Sequence, residues 1–202
     1  MFTGIVQAIG QVAEISERAG DLRLRIAAAT IDPARLQPGD SVAVAGVCLT
    51  VAEQLAGGFA ADVSRETLQL TTVGDWRAGQ LVNLEPALRA ADPLGGHLLS
   101  GHVDGRAQLL AAHPDARSQR LNWRAPPELM RFIAAQGSVA LDGVSLTVNT
   151  VSAREFTVNL IPHTLQVTTL GQLAVGAAVN LEIDTIARYV ARLLDSGSSG
   201  AH

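Results

Sequence analysis

Apolar and polar residues alternate along many short stretches of this chain. Residues 22–26, LRLRI, put leucine and isoleucine on one side of an extended chain and two arginines on the other, which predicts a half-buried strand. Residues 41–51 read SVAVAGVCLTV and residues 138–148 read SVALDGVSLTV, so eight of the eleven positions are identical. In each copy, an apolar strand, a turn at Gly46 or Gly143 and a second strand predict a hairpin.

The repeat extends over most of the chain. At a constant offset of 97 residues, residues 1–88 and 98–185 share 28 identities. A period of this length is too long for a solenoid and suits one compact domain. The sequence therefore predicts two similar domains at 1–88 and 98–185, a linker at 89–97, and a helix with a flexible tail at 186–202.

Each half is predicted to be all-β with short helices. A first strand is expected at residues 1–12, with its copy at 98–109, and a helical segment opened by prolines is expected at 125–137. About six short strands per half, without alternating long helices, favour a closed Greek-key barrel over a parallel sheet. The predicted fold is two tandem, similar, six-stranded Greek-key barrels plus a C-terminal helix.

The C-terminal segment has no counterpart in the first half. Residues 186–194, IARYVARLL, place Ile186, Val190 and Leu193 or Leu194 at helical spacing, which predicts an amphipathic helix. The tail SGSSGAH is expected to be a flexible end.

Composition and charge exclude several classes of function. A net charge of −4 with scattered arginines argues against nucleic-acid binding, and no apolar run is long enough to cross a membrane. The lone Cys48 excludes an intramolecular disulfide, and the expected location is the cytoplasm. Neither a metal nor a cofactor is predicted, because no nucleotide-binding fingerprint is present and metal-ligand spacing is missing around His97, His102, His113, His163 and His202.

Polar positions inside the repeated strands are the first candidates for chemistry. Thr50 and Thr147 recur in the same apolar frame, where a buried hydroxyl needs a partner, although threonine is also a good strand former with its hydroxyl outward. Two domains that share one reaction must also differ where the reaction happens. At equivalent positions the two copies differ, with the first-half residue given before its second-half counterpart: Cys48 and Ser145, Ala45 and Asp142, Asp62 and Asn159, Glu66 and His163, and Ile5 and His102.

Some of these residues also have structural interpretations. Cys48 can be a small buried apolar side chain. His97 and His102 flank LLSG and could face one cleft, or each could be a hydrogen-bonded structural histidine.

Several motifs together resemble the riboflavin synthase family, alpha-chain type. They are MFTGIV, CLTV, ETL, GGHLLSGH, DGVSLTV and IPHTLQVTTLG, and the resemblance extends from residue 1 to about 194. It implies a homotrimer held by the C-terminal helix, one 6,7-dimethyl-8-ribityllumazine per barrel, and active sites that each hold two such molecules between chains. The implied reaction is a cofactor-free dismutation to riboflavin, and lumazine synthase is a further implied partner.

The resemblance also assigns site residues. Those implied in catalysis are Phe2, Ser41, Cys48, His97, His102, Ser145 and Thr147. Those implied to bind substrate with the N-terminal barrel are Thr3, Gly4, Ile5, Val6, Cys48, Leu49, Thr50, Asp62, Val63, Ser64, Arg65, Glu66 and Thr67. Those implied with the C-terminal barrel are Gly101, His102, Val103, Ser145, Leu146, Thr147, Ile161, Pro162, His163, Thr164, Leu165 and Gln166.

Two positions depart from the family pattern. Gln136, also counted among the substrate-binding positions, occupies a place where the family usually has a lysine, and Ala45 stands where a polar residue is common. The rival hypothesis is a non-catalytic lumazine- or flavin-binding paralogue. Such paralogues tend to lose the second-half histidine motif, so the intact GGHLLSGH favours the enzyme.

Overall fold

The computed structural model describes residues 1–18 and 20–197, and these form two closed antiparallel six-stranded barrels. The predicted fold class is confirmed. In the N-terminal barrel the ring order is β1-β2-β5-β4-β3-β6. Its strands are β1 (Ala8–Arg18), β2 (Asp21–Ala27), β3 (Ser41–Val44), β4 (Val47–Leu55), β5 (Gly58–Val63) and β6 (Leu81–Pro86).

The C-terminal barrel repeats this ring order as β7-β8-β11-β10-β9-β12. In both rings the second strand pairs with the fifth, so the long connection of a Greek key runs from the second strand to the third, over residues 28–40 and 125–137. The strands are β7 (Gly105–Asp115), β8 (Ser118–Arg124), β9 (Ser138–Leu141), β10 (Val144–Val151), β11 (Glu155–Leu160) and β12 (Ala178–Ile183).

Alternation along the strands fills the interior of each barrel with apolar side chains. Phe59 and Leu84 belong to the N-terminal core, and Trp123 and Phe156 to the C-terminal core, each at most 1% exposed. Small barrels are packed solid when inward positions carry such side chains. Ligand sites must therefore lie on the outer surface of the barrels.

Helices are short except at the C-terminus. α1 (Arg65–Leu70) follows β5, α2 (Pro162–Val167) follows β11, and α3 (Thr185–Gly197) ends the described chain. The predicted C-terminal helix is confirmed but is longer than expected, since it includes the first two residues of SGSSGAH. The rest of that predicted tail, residues 198–202, lies outside the described residues. No helix among residues 1–18 and 20–197 is long and apolar enough to cross a membrane.

Two element predictions are wrong at their ends. Strands β1 and β7 begin at Ala8 and Gly105, not at residues 1 and 98. The preceding segments bend away because Gly4 and Gly101 have φ of 75° and 77°, a left-handed conformation that interrupts a strand.

The helical segment expected at 125–137 is also wrong. It contains only the 3-10 turn Met130–Phe132. Leu129, at its N-cap, makes no side-chain hydrogen bond to the turn, so the orphan N–H groups of a longer helix would lack a cap.

The two barrels meet around an approximate twofold axis. The turn at Gly46 touches the turn at Gly143 so closely that a Cβ on Gly46 would lie 2.7 Å from the Gly143 nitrogen. Asn180 Nδ2 donates to the Ala45 carbonyl at 2.9 Å, and Asn83 Nδ2 donates to the Asp142 carbonyl at 2.9 Å. These reciprocal bonds fix the orientation of the barrels.

Candidate active site

A row of polar side chains crosses the outer face of the N-terminal barrel. Ser41 on β3 pairs with Thr50 on β4. The pairing of Val51 with Ala61 puts Thr50 beside Asp62 on β5, and Asp62 pairs with Arg23 on β2. Thr50 and Asp62 are exposed, so the outward interpretation of this threonine is correct.

The C-terminal barrel carries the same row with different chemistry at one position. Thr147 pairs with Ser138 and lies beside Asn159, which pairs with Arg120. In the N-terminal row the equivalent arginine, Arg23, donates to both carboxylate oxygens of Asp62 at 3.1 Å.

Arg120 instead bonds to Asp115 at 2.8 Å, because its row offers a neutral amide where the other offers a carboxylate. At this position one row therefore presents a carboxylate and the other a neutral amide, which itself donates to Asp115 at 3.4 Å.

The segments before β1 and β7 cross to the opposite barrel. The Gly101 carbonyl accepts a hydrogen bond from the Cys48 amide at 2.9 Å, and the Gly4 carbonyl accepts one from the Ser145 amide at 2.9 Å. Val103 packs against the N-terminal core, while Val6 packs against the C-terminal core. Each polar row is therefore bordered by the other half of the chain.

This exchange corrects the grouping expected from the sequence. The sequence predicts that residues 4–6 bind substrate with the N-terminal barrel and 101–103 with the C-terminal barrel, but Gly4 and Val6 contact the C-terminal barrel, and Gly101 and Val103 contact the N-terminal barrel. The physical reason is that the glycine bends send each segment across the twofold axis, where Phe2 and Leu99 form an antiparallel bridge.

The N-terminal pocket is a cavity of about 220 Å³ beside the half-buried Cys48. It brings Cys48, Glu66 and Thr67 together with the crossing segment. Its lining residues are Val47, Cys48, Glu66, Thr67, Leu70, Thr71, Gly101, His102 and Val103.

A serine–histidine pair occupies the equivalent position on the C-terminal barrel. His97 Nδ1 lies 2.6 Å from Ser145 Oγ. The backbone N–H of His97 donates to the Thr3 carbonyl at 3.1 Å. Burial lowers the pKa of His97 despite the opposing charge of Asp184. The imidazole is therefore neutral near pH 7, and in the tautomer that carries its proton on Nε2 it can accept the hydroxyl proton of Ser145 at Nδ1.

The approach of His97 to Ser145 depends on Gly96. A Cβ on Gly96 would lie 2.1 Å from the Thr3 carbonyl oxygen and 2.8 Å from Ser145 Cβ. A side chain at this position would push the histidine segment away from β10.

Several predicted residues do not line the N-terminal pocket, although Phe2 packs against Cys48 at its edge. Phe2 is 1% exposed and packs on the twofold axis with Leu99, Ala43 and Ala140. Ser41 is half-buried at the far end of its row. Other positions can reach a surface ligand only through the backbone, because their side chains face the barrel interiors: Leu49, Val63 and Leu146.

The remaining candidates lie at α1, beside β10 and at α2. Ser64 caps α1 by accepting from the Thr67 amide, and Arg65 Nε bonds to the Gly20 carbonyl at 3.0 Å. Gln136 is exposed beside β10, with its amide bonded to the Val148 carbonyl. The turn and helix that follow β11 hold Ile161, Pro162, His163, Thr164, Leu165 and Gln166.

Sequence reasoning missed two buried carboxylates. Glu85 Oε1 accepts from the Thr3 amide and hydroxyl at 2.6 and 2.7 Å, and Glu182 Oε1 accepts from the Ser100 amide and hydroxyl, both at 2.7 Å. Burial raises the pKa of both glutamates against these hydrogen bonds. The available signal was the repeated VNLE, which places an identical charged residue in an otherwise apolar strand.

No cluster of three histidine, cysteine or acidic side chains within residues 1–18 and 20–197 is arranged to hold a metal ion. The groups present at the two sites are hydroxyl, thiol, imidazole and carboxylate. The fold and these pockets define a class: a tandem-barrel protein with two related but unequal surface sites for small molecules.

Comparison with known proteins identifies the family. The family model for the lumazine binding domain matches residues 3–87 and 100–184. A riboflavin synthase of Brucella abortus is 47% identical over 96% of this chain and 98% of its own length. One of Mycobacterium tuberculosis is 43% identical over 97% and 99%. The chain therefore belongs to the lumazine binding domain family and, within it, to the riboflavin synthases.

Solved structures share the same fold. LumP complexed with riboflavin has a TM-score of 0.80 and 27% identity over 91% of this chain and 99% of its own. LumP complexed with 6,7-dimethyl-8-(1'-D-ribityl) lumazine has a TM-score of 0.79 and 25% identity over the same shares.

Proposed function

We propose that this chain is a transferase that dismutates two molecules of 6,7-dimethyl-8-ribityllumazine. Four carbons pass from one molecule to the other, giving riboflavin and 5-amino-6-(D-ribitylamino)uracil, the final step of riboflavin biosynthesis. The observation that carries the proposal is the pair of like but unequal sites at equivalent positions of the two barrels, a pocket lined by Cys48 and His102 in one and a hydrogen-bonded Ser145 and His97 in the other. Two identical substrates in different roles need such a pair, and holding them together supplies much of the rate.

Proton transfer is assigned to the serine–histidine pair. The reaction needs loss of a proton from the C7 methyl of one lumazine. Neutral His97 draws the proton from Ser145 Oγ, whose oxygen then serves as the base. Thr147, on the same outer face of β10, is assigned to orient the ring, and Cys48 is the corresponding group in the other pocket.

Asp62 is assigned to the ribityl chain in the N-terminal pocket. Its carboxylate is exposed and held by Arg23 in one orientation, so it can accept bonds from sugar-alcohol hydroxyls. Asn159 takes the corresponding position in the C-terminal pocket with a weaker, neutral acceptor.

A homotrimer is proposed to bring the N-terminal pocket of one chain to the C-terminal pocket of the next. The support is α3, whose large apolar side chains are exposed to an unusual extent for a surface helix. The exposed fractions are 68% for Ile186, 66% for Tyr189, 74% for Leu193 and 69% for Leu194.

Location, domain bounds and a partner protein complete the proposal. The lone cysteine suits a reducing compartment, so the reaction is assigned to the cytoplasm. The functional units are taken as residues 1–88 and 98–185, with 89–97 as linker. Association with lumazine synthase stays a prediction, which co-sedimentation of the two purified proteins would test.

The rival is a binding protein without activity, similar to LumP. Identity to the riboflavin synthases reaches 47%, against 27% to LumP, which favours the enzyme. The discriminating experiment is incubation of the purified protein with 6,7-dimethyl-8-ribityllumazine while riboflavin absorbance is followed. Tight lumazine binding without riboflavin formation would establish the rival.

A further inference from the structure

Each crossing segment is held by a buried glutamate of its own half. Glu182 accepts from the amide and hydroxyl of Ser100 through Oε1 and from the Gly101 amide through Oε2 at 3.1 Å. Glu85 makes the equivalent bonds, with Oε2 accepting from the Gly4 amide at 2.9 Å. The two glutamates are 3% and 5% exposed, so these bonds are shielded from water.

The held segment forms a wall of the opposite pocket. After Glu182 fixes the Gly101 amide, the Gly101 carbonyl accepts from the Cys48 amide on β4. His102 follows directly, and its amide donates to Ser100 Oγ at 3.3 Å. A carboxylate of the C-terminal barrel thereby sets the position of His102 over the N-terminal pocket.

We propose that Glu182 is a positioning residue for the N-terminal pocket and Glu85 a positioning residue for the C-terminal pocket, each acting across the twofold axis through the segment it holds. The inference rests on the proposed function for the identity of the ligand. Neither glutamate touches the ligand in this proposal.

Ionised carboxylates suit this position better than amides. Three donors converge on each glutamate, and a carboxylate offers acceptor sites on both oxygens. In Glu182→Gln, either the Ser100 donors or the Gly101 amide would face the NH2 group, and a buried donor would lose its acceptor. The 98–103 segment should then loosen over Cys48, while the 1–6 segment, held by Glu85, should not.

Cys48 is a built-in reporter, because it is the lone cysteine and lies in the N-terminal pocket. The test measures its reaction with 5,5'-dithiobis(2-nitrobenzoate), in which the thiolate forms a mixed disulfide and releases one thionitrobenzoate. Glu182→Gln should react roughly tenfold faster than wild type, the effect of one lost hydrogen bond to a charged group. Glu85→Gln should stay within about twofold, as should the exposed control Glu128→Gln.

Ligand protection separates positioning from general loosening. Added 6,7-dimethyl-8-ribityllumazine should slow the labelling of Cys48, and the half-protecting concentration should rise roughly tenfold in Glu182→Gln but not in Glu85→Gln. Ser100→Ala keeps the carboxylate and removes one hydroxyl donor, so it tests the same contact if Glu182→Gln does not fold. It should change both quantities in the same direction, by roughly threefold.

Two results would overturn the proposal: equal acceleration in Glu85→Gln and Glu182→Gln, or no acceleration in both Glu182→Gln and Ser100→Ala. Failure of the proposed function looks different. A wild type that neither forms riboflavin nor is protected by lumazine would remove the ligand assignment, while the labelling rates without ligand would still decide the positioning role.

Discussion

Ser145 shows how one residue acquires a role from its surroundings. In the equivalent place on β4 the chain has Cys48, and both amides are bonded to a glycine carbonyl of the other half. Only Ser145 has a histidine within hydrogen-bond distance of its side chain among the described residues. The difference between the pockets therefore includes a neighbouring base as well as oxygen in place of sulfur.

Replacing Ser145 by alanine should remove the proton path without closing the pocket. We expect Ser145→Ala to lower the rate of riboflavin formation by roughly a hundredfold, the usual worth of a general base, with little change in lumazine affinity. Stopped-flow absorbance and fluorescence titration measure the two quantities. Ser118→Ala, on β8 away from both pockets, is the matched control, and equal rates in the two variants would contradict the assignment.

The rate of riboflavin formation should fall only at a pH below the ordinary pKa of histidine. Burial lowers the pKa of His97 below its ordinary value of 6.5, so the neutral ring persists to a pH below that value. Protonated His97 cannot accept from Ser145, and the rate should fall only when the pH drops through the lowered pKa. A rate that already begins to fall above about pH 7 as the pH is lowered would argue against His97 as the acceptor.

Gln136 tests the departure from the family pattern. It lies exposed beside β10, where a longer cationic side chain could reach a ring anion bound over Thr147. Gln136→Lys should raise turnover several-fold, about the effect of one exposed charge on a developing anion. Gln136→Met, of similar length without charge, is the control, and the same rate in both variants would show that the lysine is dispensable here.

At the scale of elements, the repeated hairpins were predictable and the crossing segments were not. Alternation predicted the strands of β4 and β10, but it left open whether Thr50 and Thr147 are buried or face outward, as the structure shows them to do. The same alternation in MFTGIV looks like an ordinary first strand, because period-two patterns do not say which barrel an extended segment will join. The contacts of Gly4 and Gly101 depend on tertiary packing across the axis, which no local pattern encodes.

The hairpin turn at Asp142 couples barrel contact to pH. Its backbone is held by Asn180 and Asn83, and Oδ1 accepts from the Asn180 amide at 2.8 Å. Burial raises the pKa of Asp142 to about 7 from 3.8. The folded chain thus binds more protons than the unfolded chain between these values, so this residue lowers stability progressively as the pH rises through that range.

Asp142→Asn should abolish that loss. Asparagine keeps an oxygen for the Asn180 amide, carries no charge, and tolerates the φ of 45° at this position. We expect its gain in unfolding free energy over wild type to be about 2 kcal/mol larger at pH 8 than at pH 5. Urea unfolding at both pH values measures it, and Asp21→Asn, at the exposed start of β2, should show no such difference.

At the scale of the whole molecule, α3 is the element that its own barrels do not bury. Sequence periodicity predicted its apolar face but could not say whether a barrel or another chain covers it, since both need the same spacing. The helix follows the last strand, β12, so both barrels close without it, and its large apolar side chains are exposed.

Removing this helix should therefore change assembly and leave the fold intact. By light scattering, a chain ending before Thr185 is expected to have the mass of a monomer. The full-length protein is expected to have three times the mass of one chain. Leu193→Glu in the full chain should weaken association by roughly a hundredfold through burial of a charge, whereas Arg117→Glu, on the exposed β7–β8 turn, should not. A truncated chain that stayed trimeric would refute the role given to the helix.

The exchange of residues 1–6 and 98–103 has a consequence for the history of the chain. A single ancestral barrel would have had no second half to border its pocket, so it would have needed the leading residues of another copy in a symmetric pair. Fusion of two genes would then have preserved that pairing within one polypeptide. After the fusion, substitutions at contacting positions of the two halves would be correlated. A substitution at position 4 would be accompanied by one at position 145, and a substitution at 101 by one at 48.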